Sequence, residues 1–100
     1  MKYYIIISDH IHGSAPMGVF DSKEKAAIAA LVWIKEKNKG IVIKTKSIED
    51  DYENLFRKYE HMKIDQWIFV QDAYCFYNIT QNFEWCLQIQ EYDLNLIKTE

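Results

Sequence analysis

The sequence predicts an α+β fold, a two-layer sandwich in which two helices cover one face of an antiparallel or mixed sheet of about five to six strands. Two segments show helical periodicity, and the others are short stretches rich in aromatic and β-branched residues. With 100 residues, 49% hydrophobic and 27% charged, the chain has the balance of an ordinary globular protein. We therefore expect a single domain over residues 1–100.

The N-terminal third predicts two strands with a loop between them. Tyr3 to Ser8 is aromatic and β-branched without a helical period, which indicates a strand in the centre of the sheet, covered on both faces. Asp9 to Pro16 holds the chain's one proline and one of its three glycines, so it predicts a loop. A short strand is expected at Met17 to Phe20.

A capping box predicts the start of the first helix. The Asp21 side chain can accept from the amide of Glu24, while the Glu24 carboxylate reaches back to the amide of Asp21. The helix is expected over Ser22 to Lys37, and Gly40 is expected to stop it. Its apolar stripe consists of Ala26, Ala27, Ala30, Leu31, Trp33 and Ile34.

A lysine-bearing strand and a second helix follow. Ile41 to Lys46 places two lysines on one face, which is typical of an edge strand. Ser47 is expected to cap a helix over Ile48 to Met62, whose apolar residues recur at helical spacing. Leu55 and Phe56 are predicted core residues of that helix. Asp50, Glu53 and Glu60 are predicted to face solvent.

The remaining segments predict β structure. Trp67 to Gln71 and Tyr74 to Ile79 are expected to pair through a turn at Asp72-Ala73, and Phe83 to Tyr92 forms the last strand. In that strand we expect one buried and one solvated face. The buried set is Phe83, Trp85, Leu87 and Ile89, and the solvated set is Glu84, Cys86, Gln88 and Gln90.

Charge and cysteine content narrow the functional classes. Residues 1–46 carry 8 lysines and 4 acids, whereas residues 47–100 carry 4 basic residues and 11 acids. The aromatic stretch Trp67 to Tyr92 contains no lysine or arginine, which argues against nucleic-acid binding by that surface.

The apolar run at Tyr3 to Ile7 is too short for a signal peptide or membrane span, so we expect a cytosolic protein that contacts no membrane. Cys75 and Cys86 are expected to be reduced packing residues.

No catalytic motif is evident, and we predict no cofactor, resident metal or catalytic residue. Asp9, His10 and His12 are the one constellation that resembles a metal site, because alternate residues of an extended chain project to the same side. A third ligand from His61 or Asp65 would have to converge with them. A small metal-dependent hydrolase is accordingly the least favoured hypothesis.

Two segments resemble a group of small phage and prophage proteins. The run Met17 to Ala26 matches their "GVF-S-KEKA" helix start, and Leu87 to Asn95 matches their closing "I-EY-L" strand. The resemblance covers about a quarter of the chain. It implies a phage-type accessory protein without catalytic activity, of the kind that binds and blocks a host factor such as a defence protein, in the bacterial cytoplasm.

Two further hypotheses concern binding. The first is a protein-binding function, as a homodimer or host-protein inhibitor, through aromatic and acidic surface. Its predicted residues are Glu49, Asp50, Glu53, Glu60, Tyr74, Phe76 and Tyr77. The second is sequestration of a nucleotide-like molecule in a pocket roofed by the His10 to Pro16 loop. Its predicted residues are His10, His12, Tyr4 and Trp67.

Overall fold

A computed structural model describes residues 1–47 and 52–93 of the chain, which form an α+β fold with a six-stranded sheet. The elements in chain order are β1 (Lys2–His10), β2 (Gly13–Phe20), α1 (Lys23–Glu36), β3 (Ile41–Thr45), α2 (Tyr52–Tyr59), β4 (Gln66–Val70), β5 (Cys75–Asn78) and β6 (Trp85–Asp93). None of the helices in these residues is both long and apolar enough to cross a membrane.

The sheet is mixed, with strand order β2-β1-β6-β5-β4-β3. Within residues 1–47 and 52–93, the pairing of β3 with β4 is the only parallel one, and α2 forms the crossover between them. The other four strand pairings are antiparallel. The predicted edge position of β3 is confirmed, and β1 lies inside the sheet, next to the edge strand β2.

β1 and β2 form a long hairpin, which corrects the loop expected at Asp9 to Pro16. The turn occupies only Ile11 and His12, and β2 begins at Gly13, whose φ is +138°. Pro16 lies within β2 opposite Ile7. A proline, which lacks an N–H, is tolerated there because β2 is an edge strand and the register shifts at a bulge between Ile6 and Ile7.

The cap of α1 is Ser22, not Asp21 as the capping box predicted. Ser22 has extended backbone angles, and its hydroxyl accepts a hydrogen bond from the Lys25 amide at 3.1 Å. The Asp21 carboxylate instead pairs with the Lys25 ammonium at 2.9 Å. The helix thus begins one residue later than a cap at Asp21 would require. The serine hydroxyl accepts from a first-turn amide that has no acceptor within the helix.

The end of α1 brings Gly40 against the core. Lys39, rather than Gly40, adopts the left-handed conformation, with φ of 59°. A Cβ on Gly40 would lie 2.9 Å from Cδ1 of Trp67, so glycine is needed here for close approach. Trp67 is fully buried, and its Nε1 donates to the Asn38 side chain at 2.8 Å.

The two helices pack on opposite faces of the sheet, which corrects the expectation that both cover one face. Successive side chains of β4 point to opposite faces. Trp67 belongs to a cluster covered by α1, whereas Ile68 packs with Leu55 and Tyr59 of α2. The buried members of the α1 cluster are Ile6, Ala26, Ala30, Ile34, Trp67, Phe76 and Leu87. β4 directs large apolar side chains to both faces of the sheet, so each face needs a helix to cover it.

α2 is less deeply buried than its periodicity suggested. It ends at Tyr59 rather than Met62, and none of its described residues is fully buried. Leu55 and Phe56 are both only half-buried, and Leu55 joins the cluster beneath the helix. Phe56 is therefore not the core residue that we expected. The helix covers one end of its sheet face and leaves much of its own surface in contact with water.

The last strands largely follow the prediction. β4 and β5 form the expected antiparallel hairpin, and Leu87 is fully buried beneath α1. Two details differ. Phe83 lies in the turn before β6, and Cys86, expected on the solvated face, is 8% exposed because it lies opposite Tyr77 of β5.

β1 is covered by α1 on the face that carries Ile6, which is 4% exposed. On the other face, Ile5 and Ile7 are only half-buried, and neither belongs to the cluster beneath α2. The expectation that this strand is covered on both faces is not met within the described residues. We call the surface formed by Tyr3, Ile5, Ile7, Val19 and Tyr92 the open sheet face.

Candidate functional site

Three aromatic rings surround a surface cavity between the start of α2 and the turn that follows β5. Tyr52, Tyr77, Asn82 and Phe83 line this aromatic pocket, which has a volume of about 380 Å³. The rings of Tyr52 and Phe83 meet edge to face, with centroids 5.1 Å apart and planes at 82°. The rings of Tyr77 and Phe83 are 6.5 Å apart at 58°. The cavity is of a size that accepts a side chain or a small ligand.

The turn that carries Phe83 has an uncommon backbone. Asn82 and Phe83 both adopt left-handed angles, with φ of 56° and 61°. Asparagine tolerates this region, but a bulky residue rarely occupies it, and holding Phe83 there costs about 1 to 3 kcal/mol. The turn is held by Asn78, whose carbonyl accepts from the Phe83 amide at 2.8 Å and whose side-chain oxygen accepts from the Gln81 amide at 2.9 Å. These bonds orient the Phe83 ring toward the pocket.

Tyr77 forms the floor of the pocket and borders two cysteines. Burial is the main reason that the pKa of its hydroxyl is raised, with a smaller contribution from Cys75, so Tyr77 stays neutral at physiological pH. Cys75 and Cys86 are free and buried, as expected. A hydrogen bond between the two thiols lowers the pKa of Cys86 to about 7, and the same bond together with burial raises that of Cys75.

Two acidic residues directly follow pocket residues in the sequence, and a third lies beyond the far end of α2. Glu53 follows Tyr52 directly and is exposed, with its carboxylate 2.8 Å from the Arg57 guanidinium. Glu60 lies just beyond α2 and its carboxylate is 2.9 Å from the His61 ring. Glu84 follows Phe83 and is exposed. The predicted residues Glu49 and Asp50 lie outside the described residues.

The predicted aromatic residues of the hairpin do not share one surface. Phe76 is 2% exposed in the core beneath α1, so it offers no surface to a partner. Tyr74 lies in the turn before β5, where the Lys23 ammonium is 4.2 Å from its ring centre. Tyr77 faces the opposite side, in the aromatic pocket. Alternation along β5 separates Phe76 from Tyr77, because neighbouring residues of a strand face opposite ways.

Tyr74 also lines a second cleft, on the α1 side of the sheet. This cleft has a volume of about 270 Å³ and includes Tyr4 and Glu91. The Tyr4 hydroxyl donates to the Glu91 carboxylate at 3.1 Å, and this bond raises the pKa of the Tyr4 hydroxyl and lowers that of the Glu91 carboxyl. The lining residues are Tyr4, Lys23, Asp72, Ala73, Tyr74, Ile89 and Glu91.

The predicted nucleotide pocket does not assemble. Tyr4 and His10 lie six residues apart on β1, which corresponds to about 20 Å along a strand. Trp67 is fully buried, so its ring faces are closed to a ligand. His10 and His12 do come together, with ring centroids 5.1 Å apart, and His10 also contacts the edge of Trp85 at 5.9 Å.

The candidate metal ligands likewise diverge. Asp9 and His10 are neighbours on β1 and face opposite sides of the sheet. Asp9 accepts a hydrogen bond from Gln88 at 3.5 Å, whereas His10 stacks on His12. Among residues 1–47 and 52–93, no group of three or more His, Cys, Asp or Glu side chains is placed to hold a metal ion.

Comparison with known proteins found no relative of this chain. No family model, no curated protein and no solved structure matched the chain. Any function assigned to the aromatic pocket thus depends on its own residues.

Sequence reasoning identified one ring of the pocket and missed two. Tyr77 is among the predicted partner-binding residues, whereas Tyr52 falls within the predicted second helix without a predicted role, and Phe83 falls within the predicted last strand. Asn82 gave a usable signal, because asparagine tolerates left-handed backbone angles in turns. No local signal marks Phe83, since a phenylalanine in that conformation is exceptional.

Proposed function

We propose that this chain is a non-catalytic, phage-type accessory protein that binds a host protein in the bacterial cytoplasm and blocks it. The observation that carries the proposal is the aromatic pocket at the start of α2, where Glu53 follows the pocket residue Tyr52. Protein interfaces are enriched in tyrosine and phenylalanine at their centres, where a pocket receives an anchor side chain. The resemblance of Met17 to Ala26 and of Leu87 to Asn95 to small phage proteins supports the same class.

The burial of the rings supports a role beyond packing. Tyr52 is 45% exposed although it contacts Phe83, so its ring forms a wall of the pocket and is not part of the core. Leu55 and Tyr59, one and two turns further along α2, point to the cluster around Ile68. The helix is held by those residues, which leaves the Tyr52 ring for contact with a partner.

Affinity capture from a bacterial lysate tests the proposal when paired variants are compared. Tyr52→Leu removes one pocket ring, and the double variant Glu53→Lys/Glu60→Lys reverses the acidic charge. Ile28→Ala and Glu36→Lys are the matched controls, because both residues are exposed on α1, on the opposite side of the sheet. Circular dichroism establishes that each variant is folded.

We expect one host protein to be retained in stoichiometric amount by the wild-type protein and by both controls. Its loss with Tyr52→Leu and with the double charge reversal is the supporting result. Equal retention by all variants, or no retained protein at all, would refute the proposal.

Nucleotide sequestration is our second proposal, assigned to the cleft that contains Tyr4 and Tyr74. The Lys23 ammonium lies over the Tyr74 ring, 4.2 Å from its centre, where it can meet a phosphate, and the ring face becomes a stacking surface when the lysine side chain moves aside. Asp72 and Glu91 also line the cleft, and their charge opposes a phosphate, which places this proposal second. A nucleotide that binds only the folded state must raise the melting temperature. A screen of nucleotides and cyclic nucleotides without any shift would exclude tight binding.

A further inference from the structure

The ring planes of the aromatic pocket favour a rounded ligand over a flat one. A nucleobase is held best between parallel rings. Here Tyr52 and Phe83 stand at 82°, and Tyr77 and Phe83 stand at 58°, so the three rings form a corner. A compact group placed in that corner can contact the faces of more than one ring at once.

The electrostatics of the pocket favour a cation. The face of an aromatic ring carries negative charge density, and cages of such rings bind alkylated ammonium groups. The raised pKa of Tyr77 keeps its hydroxyl neutral, so attraction to a cation comes from the faces of the rings. Glu84 follows Phe83 directly, and no ion pair among the described residues involves its carboxylate.

The backbone of the turn supports a binding role for Phe83. Asn82 and Phe83 hold consecutive left-handed angles, and strain of this kind concentrates at binding sites and active sites. A turn of ordinary angles would direct the ring elsewhere. The hydrogen bonds that Asn78 accepts from the Phe83 and Gln81 amides maintain this conformation.

We propose that the aromatic pocket binds the alkylammonium group of a lysine side chain on the partner protein, with preference for the N-methylated form. This inference rests on the proposed function, since the lysine belongs to the bound host protein. The three rings contact the methyl or methylene groups next to the charge. The methylated form binds more tightly because it is less strongly hydrated and fills more of the corner.

The test uses small probes and the whole chain. Tetramethylammonium and Nε-trimethyllysine are titrated against the protein, with aromatic NMR shifts as the readout. The neutral control is 3,3-dimethylbutanol, which has nearly the same shape without the charge. We expect it to bind about tenfold more weakly than the cations, which corresponds to the charge contribution of a partly exposed ring site.

Variants locate the site. Tyr52→Leu keeps an apolar side chain but removes the ring, and it should abolish the shifts caused by both cations. Tyr77→Phe should leave them intact, because only the ring is used. Tyr3→Leu is the matched control, since Tyr3 stacks on Tyr92 at the other end of the sheet. Shifts that persist in Tyr52→Leu would overturn the inference.

The outcomes separate this inference from the proposed function. Equal binding of cation and neutral isostere overturns the cation site, even if host-protein capture still depends on Tyr52. Ring-dependent binding of the cations supports it, even if no host protein is captured, in which case the proposed function alone fails.

Discussion

Gly40→Ala tests whether the buried position of Trp67 is as tight as the structure shows. The added Cβ would lie 2.9 Å from Cδ1 and 3.0 Å from Nε1 of Trp67, and 3.0 Å from the Asn38 side-chain oxygen. Gly40 has no left-handed φ, so the penalty is steric and not a backbone effect. Trp67 is fully buried and donates to Asn38, and both contacts resist a shift of its ring.

The magnitude follows from two opposing terms. Overpacking of this kind costs about 1 to 3 kcal/mol. Replacing glycine by alanine also restricts the unfolded chain, which returns about 0.4 to 1 kcal/mol. Taking the midpoints of the two terms, the free energy of unfolding should therefore fall by about 1.3 kcal/mol. The melting temperature of a domain this size should fall by about 5 to 10 °C.

Urea unfolding followed by circular dichroism measures the change. Gly18→Ala is the matched control, because its Cβ would meet the far end of the half-buried Phe20 ring at 3.0 Å, and that ring can rotate. We expect the control to stay within about 0.5 kcal/mol of wild type. Unchanged or increased stability of Gly40→Ala would refute the packing argument, and with it the conclusion that Trp67 is closed to ligands.

Three further predictions follow from burial and charge. Phe56→Ala should lower the free energy of unfolding by less than about 2 kcal/mol, whereas Leu87→Ala should lower it by about 2 to 5 kcal/mol, because of the two only Leu87 is fully buried. Equal losses measured by urea unfolding would contradict this prediction. The rate of Cys86 alkylation, followed by mass spectrometry, should rise with pH around its pKa of about 7, because the thiolate is the reactive form, while Cys75 stays unmodified. A midpoint near the pKa of an ordinary thiol would contradict the hydrogen bond between the two thiols. If the open sheet face mediates a homodimer, Val19→Lys should sediment as a monomer where wild type sediments as a dimer at high micromolar concentration, and a monomeric wild type would exclude that dimer.

The sequence by itself determined the identity and order of most elements. Alternation and β-branched content are local properties of a strand, and the boundaries expected for β3, β4 and β5 agree with the structure to within about two residues. The start of α1 was placed within a residue or two for the same reason, although the cap moved from Asp21 to Ser22. Local patterns could also place Lys44 on an edge strand, because edges are protected by charge.

Only the tertiary structure decided which face each helix covers. α1 and α2 have similar local requirements, and each could satisfy them on either side of the sheet. The choice depends on residues far apart in the chain, since Ile68 of β4 needs a cover on the face that Trp67 does not use.

The aromatic pocket depended on the same long-range arrangement. Tyr52, Tyr77 and Phe83 lie on a helix, a strand and a turn, and no spacing in the sequence relates them. They meet because the parallel crossover between β3 and β4 places α2 on the sheet face that carries Tyr77 of β5. The Asn78 carbonyl, which accepts from the Phe83 amide, also holds Phe83 in a conformation that phenylalanine rarely adopts. Local propensity favours another backbone for that residue, and only the packed structure supplies the contacts that outweigh it.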